Sequence, residues 1–169
     1  MLPTNPFLSE EESNNWIKKY KESKLGSKIQ IFSHVPSAFH VASLMRQADC
    51  GIFPSRAEGW NLELLEMMSC AKPCIATNYS AHQEFCTKED TWFIDIDETE
   101  PAHDGKWFFG QGKWARLGER QIDQAVEYMR LAYNNRNGAW PEATERKCYQ
   151  QARKFTWKNS ADEFISGLA

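Results

Sequence analysis

The chain has 169 residues, 41% of them hydrophobic and 25% charged, with a formal net charge of −3. That length can bury one sizeable core, and the balance is globular rather than disordered or fibrous. The weak acidity argues against a nucleic acid or an anionic membrane as the main partner.

In chain order, Ser9 with Glu11 and Glu12 predicts a helix start, and Trp16, Ile17, Tyr20 and Leu25 give that helix an apolar stripe to about Lys24, with Gly26 ending it. "KIQIFSHV" reads as a strand over Ile29–Ser33. Pro36-Ser37 reopens a helix in which Phe39, Ala42, Met45 and Ala48 recur at helical spacing. Buried strands are expected at Cys50–Phe53, Cys74–Ala76 and Trp92–Ile94. Between them stand a helix capped by Asn61 and a short helix opened by a Ser80/Gln83 capping box. Asp97 to Gly118, with four glycines and several aromatics, has no clear period and reads as a long loop. Three further helices follow, from "ERQIDQAVEYMRLAYNN", "PEATERKCYQQARKF" and "KNSADEFISGL".

Strands and helices alternate over short connections, and the central strands are apolar throughout. The expected fold is therefore α/β: a Rossmann-like parallel sheet with helices on both faces and a helical C-terminal tail. No apolar run approaches the roughly 20 residues of a membrane span. "MLPTNPFLSEEES" also lacks the layout of a signal peptide. Cys50, Cys70, Cys74, Cys86 and Cys148 sit mostly in apolar stretches and read as reduced thiols, so the expected location is cytoplasmic.

The densest stretch is "PSRAEGWNLELLEMMSCAKPCIAT", where Glu58 and Glu66 stand eight positions apart. Ligands of open parallel sheets bind beyond the carboxyl ends of the strands, where Glu58 falls. The helix opening after Asn61 points its free N–H groups there, a seat for phosphate. A carboxylate on the loop suits sugar hydroxyls, and one further along the helix suits a vicinal diol such as a ribose. A ligand with hydroxyls at both ends and phosphates between them, a nucleotide sugar, matches this layout. The plainer alternative leaves Glu63 and Glu66 as solvent-facing helix residues and Glu58 as a loop acid.

The wider stretch through "NYSAHQEF" resembles the signature of the retaining GT-B glycosyltransferases, the large E-x7-E family that includes sucrose synthase and many mannosyltransferases. Pro54, Ser55, Glu58, Gly59, Trp60, Leu62, Leu65, Glu66, Met68, Pro73, Ile75, Ala76, Thr77 and Glu84 carry the match. Weaker similarity extends over most of the chain. The resemblance implies that Glu58 faces the transferred sugar near the reaction centre. It implies that Gly59, Trp60, Asn61 and Leu62 offer backbone N–H groups to sugar and phosphate, and that Glu66 holds the nucleotide ribose. Arg56 is placed to lean on phosphate or on a nearby acid.

Many relatives carry Gly where Asn61 stands, and Asn tolerates positive φ next best. Many have Pro at the position of Glu63, whose charge suits a first helical turn but must point away from a diphosphate. The resemblance further implies that residues 1–169 form a single nucleotide-sugar (donor) domain. They would lack the N-terminal acceptor domain and the first βα unit of the donor domain, whose Arg and Lys neutralise the diphosphate.

Other motifs carry less. Asp95-Ile96-Asp97 is a D-x-D, the metal motif of a different glycosyltransferase fold, but three-residue acidic patterns recur by chance and hard-cation sites need further converging ligands. No metal or other cofactor is expected, the nucleotide sugar being a substrate. "GQGKW" lacks the P-loop spacing. His82 beside the crevice reads as a polar contact at a helix start. Trp107, Phe108, Phe109 and Trp114 either stack on a ligand, anchor the loop to the sheet, or face another domain.

Two functions follow. The chain is either the donor part of a hexose-transferring retaining glycosyltransferase that works with a separate acceptor domain, or a non-catalytic remnant or binding module with the same fold. The Glu58/Glu66 frame favours the first, and the missing Arg/Lys unit that the resemblance implies favours the second.

Overall fold

A computed structural model describes residues 9–32, 35, 37–136 and 142–168. The chain divides into two compact units, Met1–Val41 and Ala42–Ala169.

In the first unit, α1 (Glu10–Lys21) opens on a reciprocal capping box: Glu12 N–H donates to Ser9 Oγ at 3.2 Å, and Ser9 N–H donates to Glu12 Oε2 at 2.7 Å. Three glutamates in its first turn and three lysines in its last complement the helix dipole. The helix stops at Lys21, sooner than expected, and a 3₁₀ turn follows at Gly26–Lys28. Gly26 lies so close to the preceding turn that a Cβ there would sit 1.9 Å from the Lys21 carbonyl oxygen. The expected strand at Ile29–Ser33 is not formed: residues 29–32 have no regular structure, and Ser33 lies outside the described residues. Its apolar side chains favour a strand, but a strand exists only with a ladder partner. Here the Ile29 carbonyl is taken by Lys21 Nζ at 2.9 Å instead.

The second unit holds the sheet. Strands β1 (Gly51–Phe53), β2 (Cys74–Thr77) and β3 (Thr91–Ile94) are all parallel, in the order β1-β2-β3, within a residue of the expected bounds. The register pairs Ile75 with Trp92 and Ala76 with Phe93, and successive side chains point to opposite faces. On one face Cys74, Ala76 and Phe93 join Leu64, Met67 and Met68 of α3 (Leu62–Ser69) and Cys148 of α6 (Glu142–Ala152) in the buried core. On the other face Trp92 stacks on Tyr128 of α5 (Glu119–Asn135), with ring centroids 5.7 Å apart. Helices therefore cover both faces, as the unbroken apolar strands require. Met45 of α2 (Ala38–Gln47) and the adjacent Ala48 pack against the core, while the chain ends in α7 (Trp157–Ser166).

Asp97 to Gly118 is not a loop. It forms an antiparallel hairpin of β4 (Thr99–His103) and β5 (Phe109–Ala115), with a register shift between Pro101 and His103. Gly105, Gly110 and Gly112 have positive φ, and the last two interrupt β5. That break in the twofold alternation hides the strand from the sequence. The Asp104 carboxylate gathers the turn, Oδ1 accepting from the backbone N–H groups of Lys106, Trp107 and Phe108 at 2.8 to 2.9 Å.

Candidate functional site

The site is built where β1 and β2 end. Pro54 closes β1, and a loop runs to Asn61, the N-cap of α3. Asn61 has φ 71°, in the left-handed region, and its side-chain oxygen accepts from Leu64 N–H at 3.1 Å. The expected cap and its tolerance of positive φ are both present. The N–H groups of Leu62 and Glu63 have no partner within the helix. Glu66 lies in the second turn, as expected, and is exposed.

Glu58 is half-buried in the loop and fixed from two sides. Ser55 Oγ donates to its carboxylate at 2.6 Å, and its own backbone N–H donates to Ser80 Oγ at 2.9 Å. The expected Ser80/Gln83 capping box is therefore absent. Ser80 has φ 51°, and its hydroxyl faces Glu58 rather than α4 (His82–Phe85), which carries no side-chain cap.

A second set of contacts lies beneath. Thr77, the last residue of β2, donates through Oγ1 to the Ser55 carbonyl at 2.6 Å. His82 is fully buried and bridges Thr77 to Asn61. The Asn61 amide nitrogen can only donate, so His82 Nε2, 2.8 Å away, must accept. Nδ1 then carries the proton and donates to the Thr77 carbonyl at 2.9 Å. Burial holds the imidazole below its ordinary pKa, against the opposing pull of the Thr77 carbonyl and the Glu58 charge, which agrees with this neutral tautomer. Ser55, Thr77, Ser80 and His82 thus join β1, β2, α3 and α4 behind Glu58. Sequence reasoning recognised His82 only as a helix-start contact and missed the roles of the other three.

Arg56 meets an acid, the second of its two expected partners. Its guanidinium pairs with Glu100 of β4, lies 4.7 Å from the Trp114 ring centroid, and donates through Nε to the Ala115 carbonyl at 3.1 Å. The Arg56 carbonyl in turn accepts from Ala115 N–H at 2.7 Å. The Glu58 loop and the hairpin are thereby clamped together. Between them opens a cavity of about 580 Å³, lined on the loop side by Arg56, Ala57, Glu58 and Gly59. Phe108, Lys113 and Trp114 are on its hairpin side. A Cβ at Gly59 would meet open space.

Trp60 turns inward, packing on Phe85 and Phe155 with centroids 5.1 and 5.6 Å apart. Together with Leu62 and Leu65 it lines a separate, more apolar cavity beside Phe155 and Trp157. Glu66 is not among the residues lining either cavity. Of the seven candidate residues, the structure gathers Arg56, Glu58 and Gly59 on one cavity and Trp60 and Leu62 on another, with Asn61 buried between α3 and His82.

The D-x-D carboxylates are engaged by α5. Asp97 pairs with Arg120 and accepts from Gln121 Nε2 at 3.0 Å, while Asp95 accepts from Gln124 Nε2 at 3.1 Å. The Arg120 guanidinium holds the Asp97 carboxyl below its usual range. Among the described residues no group of three or more His, Cys, Asp and Glu side chains is placed to hold a metal ion. No described helix is long and apolar enough to cross a membrane.

A parallel α/β domain with an open cleft at the carboxyl edge of its sheet belongs to the Rossmann-like class. The family model of the group 1 glycosyl transferases matches residues 8–103, and the chain belongs to that family. The matched span takes in the sheet, the Glu58 loop and α3, while β5 and the last three helices lie beyond it. No curated protein matches the chain.

Proposed function

We propose that this chain is the nucleotide-sugar-binding portion of a retaining, GT-B-type glycosyltransferase that transfers a hexose, with the acceptor held by a second domain. Glu58 carries the reading. Its carboxylate accepts from Ser55 and its backbone N–H is held by Ser80, at the carboxyl edge of the sheet, on the wall of an open cavity and three residues before the N-cap of α3. In this reading Glu58 accepts from hydroxyls of the transferred sugar, and the first-turn N–H groups of α3 meet the diphosphate. Glu66, one turn on, accepts from the ribose hydroxyls. Glu63 is exposed in the first turn and free to turn from the phosphates. Arg56 serves the donor indirectly, by joining the Glu58 loop to the hairpin. The chemistry needs no metal, since helix N–H groups supply the positive potential.

Titration calorimetry separates these roles. Uridine, guanosine and adenosine diphosphates are compared with their hexose conjugates, with and without a chelator. Glu66→Gln is expected to weaken nucleotide and conjugate alike, by roughly 10- to 100-fold for a lost charge-assisted hydrogen bond. Glu58→Gln is expected to weaken only the conjugate. Binding that vanishes with the chelator, or a Glu58 variant that loses the bare diphosphate equally, would overturn the reading.

A further inference from the structure

The hairpin strand β5 is outside the matched family span, yet it is built into the wall of the Glu58 cavity. Two independent ties fix it there. Arg56 binds Ala115 through both main chain and side chain. Tyr79, just after β2, donates through its hydroxyl to the Lys113 carbonyl at 3.1 Å. The tip is locked from within: Asp104 collects three N–H groups, and Gln111 spans Phe109 N–H at 2.7 Å and the Trp107 carbonyl at 3.3 Å. A wall so constrained holds its shape before any ligand arrives.

The groups it presents are selective. Glu58 can only accept hydrogen bonds and Lys113 can only donate them. Phe108 and Trp114 add apolar ring surface to the same cavity, their ring centroids 5.4 Å apart. Gln111 is committed to the hairpin tip, and the Arg56 guanidinium to Glu100 and Ala115. The Lys113 ammonium forms no ion pair with a described residue. A phosphate in this cavity would face the Glu58 carboxylate, and a purely apolar ligand would strand both charges. A sugar ring satisfies all three: its hydroxyls donate to Glu58 and accept from Lys113, while its C–H face lies on the aromatic rings. The cavity's roughly 580 Å³ lies within the range of small-molecule sites.

We infer that the β4–β5 hairpin is the second wall of a hexose subsite and that Lys113 is its specificity-determining contact, donating to sugar hydroxyls opposite Glu58. This deepens the donor-site reading and rests on it for the role of Glu58. The test uses the full chain and its exposed-site variant Lys113→Met, which keeps the length of the apolar stem. Calorimetry with the nucleotide hexoses and bare diphosphates is paired with amide spectra of Gly110, Gly112 and Lys113 during titration with free glucose, mannose and galactose. The expected result is a loss of roughly tenfold in affinity for the hexose conjugate alone, the size of one hydrogen bond from a charged group. Free hexoses should shift those three amides in the parent chain.

Unchanged affinity in Lys113→Met overturns the inference. So does an equal loss for the bare diphosphate, which would place the ammonium on phosphate. If the parent chain binds neither diphosphates nor conjugates, the donor-site reading fails. The hexose subsite then stands if free hexoses still shift the hairpin amides, and falls if they do not.

Discussion

His82 joins Thr77 to Asn61 only as a neutral imidazole, because protonated Nε2 would meet the Asn61 amide donor head-on. Its folded pKa lies below 6.5, so the unfolded chain takes up the proton first as the solution is acidified. The stability it contributes is complete above about pH 6.5 and declines as pH falls below that value toward the lower folded pKa. Thermal unfolding followed by circular dichroism should show that decline, and His82→Gln should flatten it while lowering stability at neutral pH. Asn61 offers a second test, since it supplies both a cap and a left-handed backbone. Asn61→Ala loses the cap and keeps the strain, for about 2–3 kcal/mol in urea unfolding. Asn61→Gly keeps the backbone freedom but loses the His82 contact, and should cost less.

The hairpin shows what an element adds to a site. Its turn depends on Asp104, whose carboxyl is pulled down to about 2 by the N–H groups of Phe108, Lys106 and Trp107. That support is present above the unfolded carboxyl value of 3.8 and lost as pH falls toward 2. Asp104→Ala should speed hydrogen exchange at those three amides, with Asp104→Asn restoring part of the protection through its remaining acceptor. In the sheet, β1 begins on Gly51 because a Cβ there would lie 2.6 Å from the Phe53 ring and 2.8 Å from Met67. Gly51→Ala should therefore cost about 1–3 kcal/mol, the range for overpacking a core, measured by denaturant unfolding.

Across the larger unit, Phe85 links the site to the C-terminal helices. It is fully buried against His82, Trp60 and Phe155, and the adjoining core includes Cys148 of α6. Phe85→Ala should cost about 3–5 kcal/mol by urea unfolding, with the cavity opening beside the site. The same core leaves its cysteines unreactive: burial raises the thiols of Cys86 and Cys148 to about 12 and that of Cys74 well above its usual value. Alkylation of the native chain with iodoacetamide should spare these three until it unfolds. In the proposed reaction, holding the acceptor against the donor supplies on the order of 7–11 kcal/mol. The described fold should thus bind donor but transfer hexose only when an acceptor-holding domain is present, as a radiolabelled transfer assay would read.

Much of this was legible in the sequence because it is local. Unbroken apolar runs such as Cys74–Ala76 can only be covered on both faces, which specifies parallel strands and flanking helices. Asn61 and the Ser9/Glu12 box mark helix starts by bonds three residues long. The placement of Glu58 in a loop and Glu66 one helix turn in was equally readable. Tertiary structure decided what local signals cannot carry. Ser80 reaches Glu58 across 22 positions, His82 reaches Asn61 across 21, and Arg56 finds Glu100 across 44. Ile29–Phe32 has the composition of a strand without its structure, whereas β5, interrupted by glycines, has the structure without the pattern. A strand is a relation between two segments, and a polar side chain's partner is whichever group the fold brings within about 3 Å; neither is a property of the residues alone.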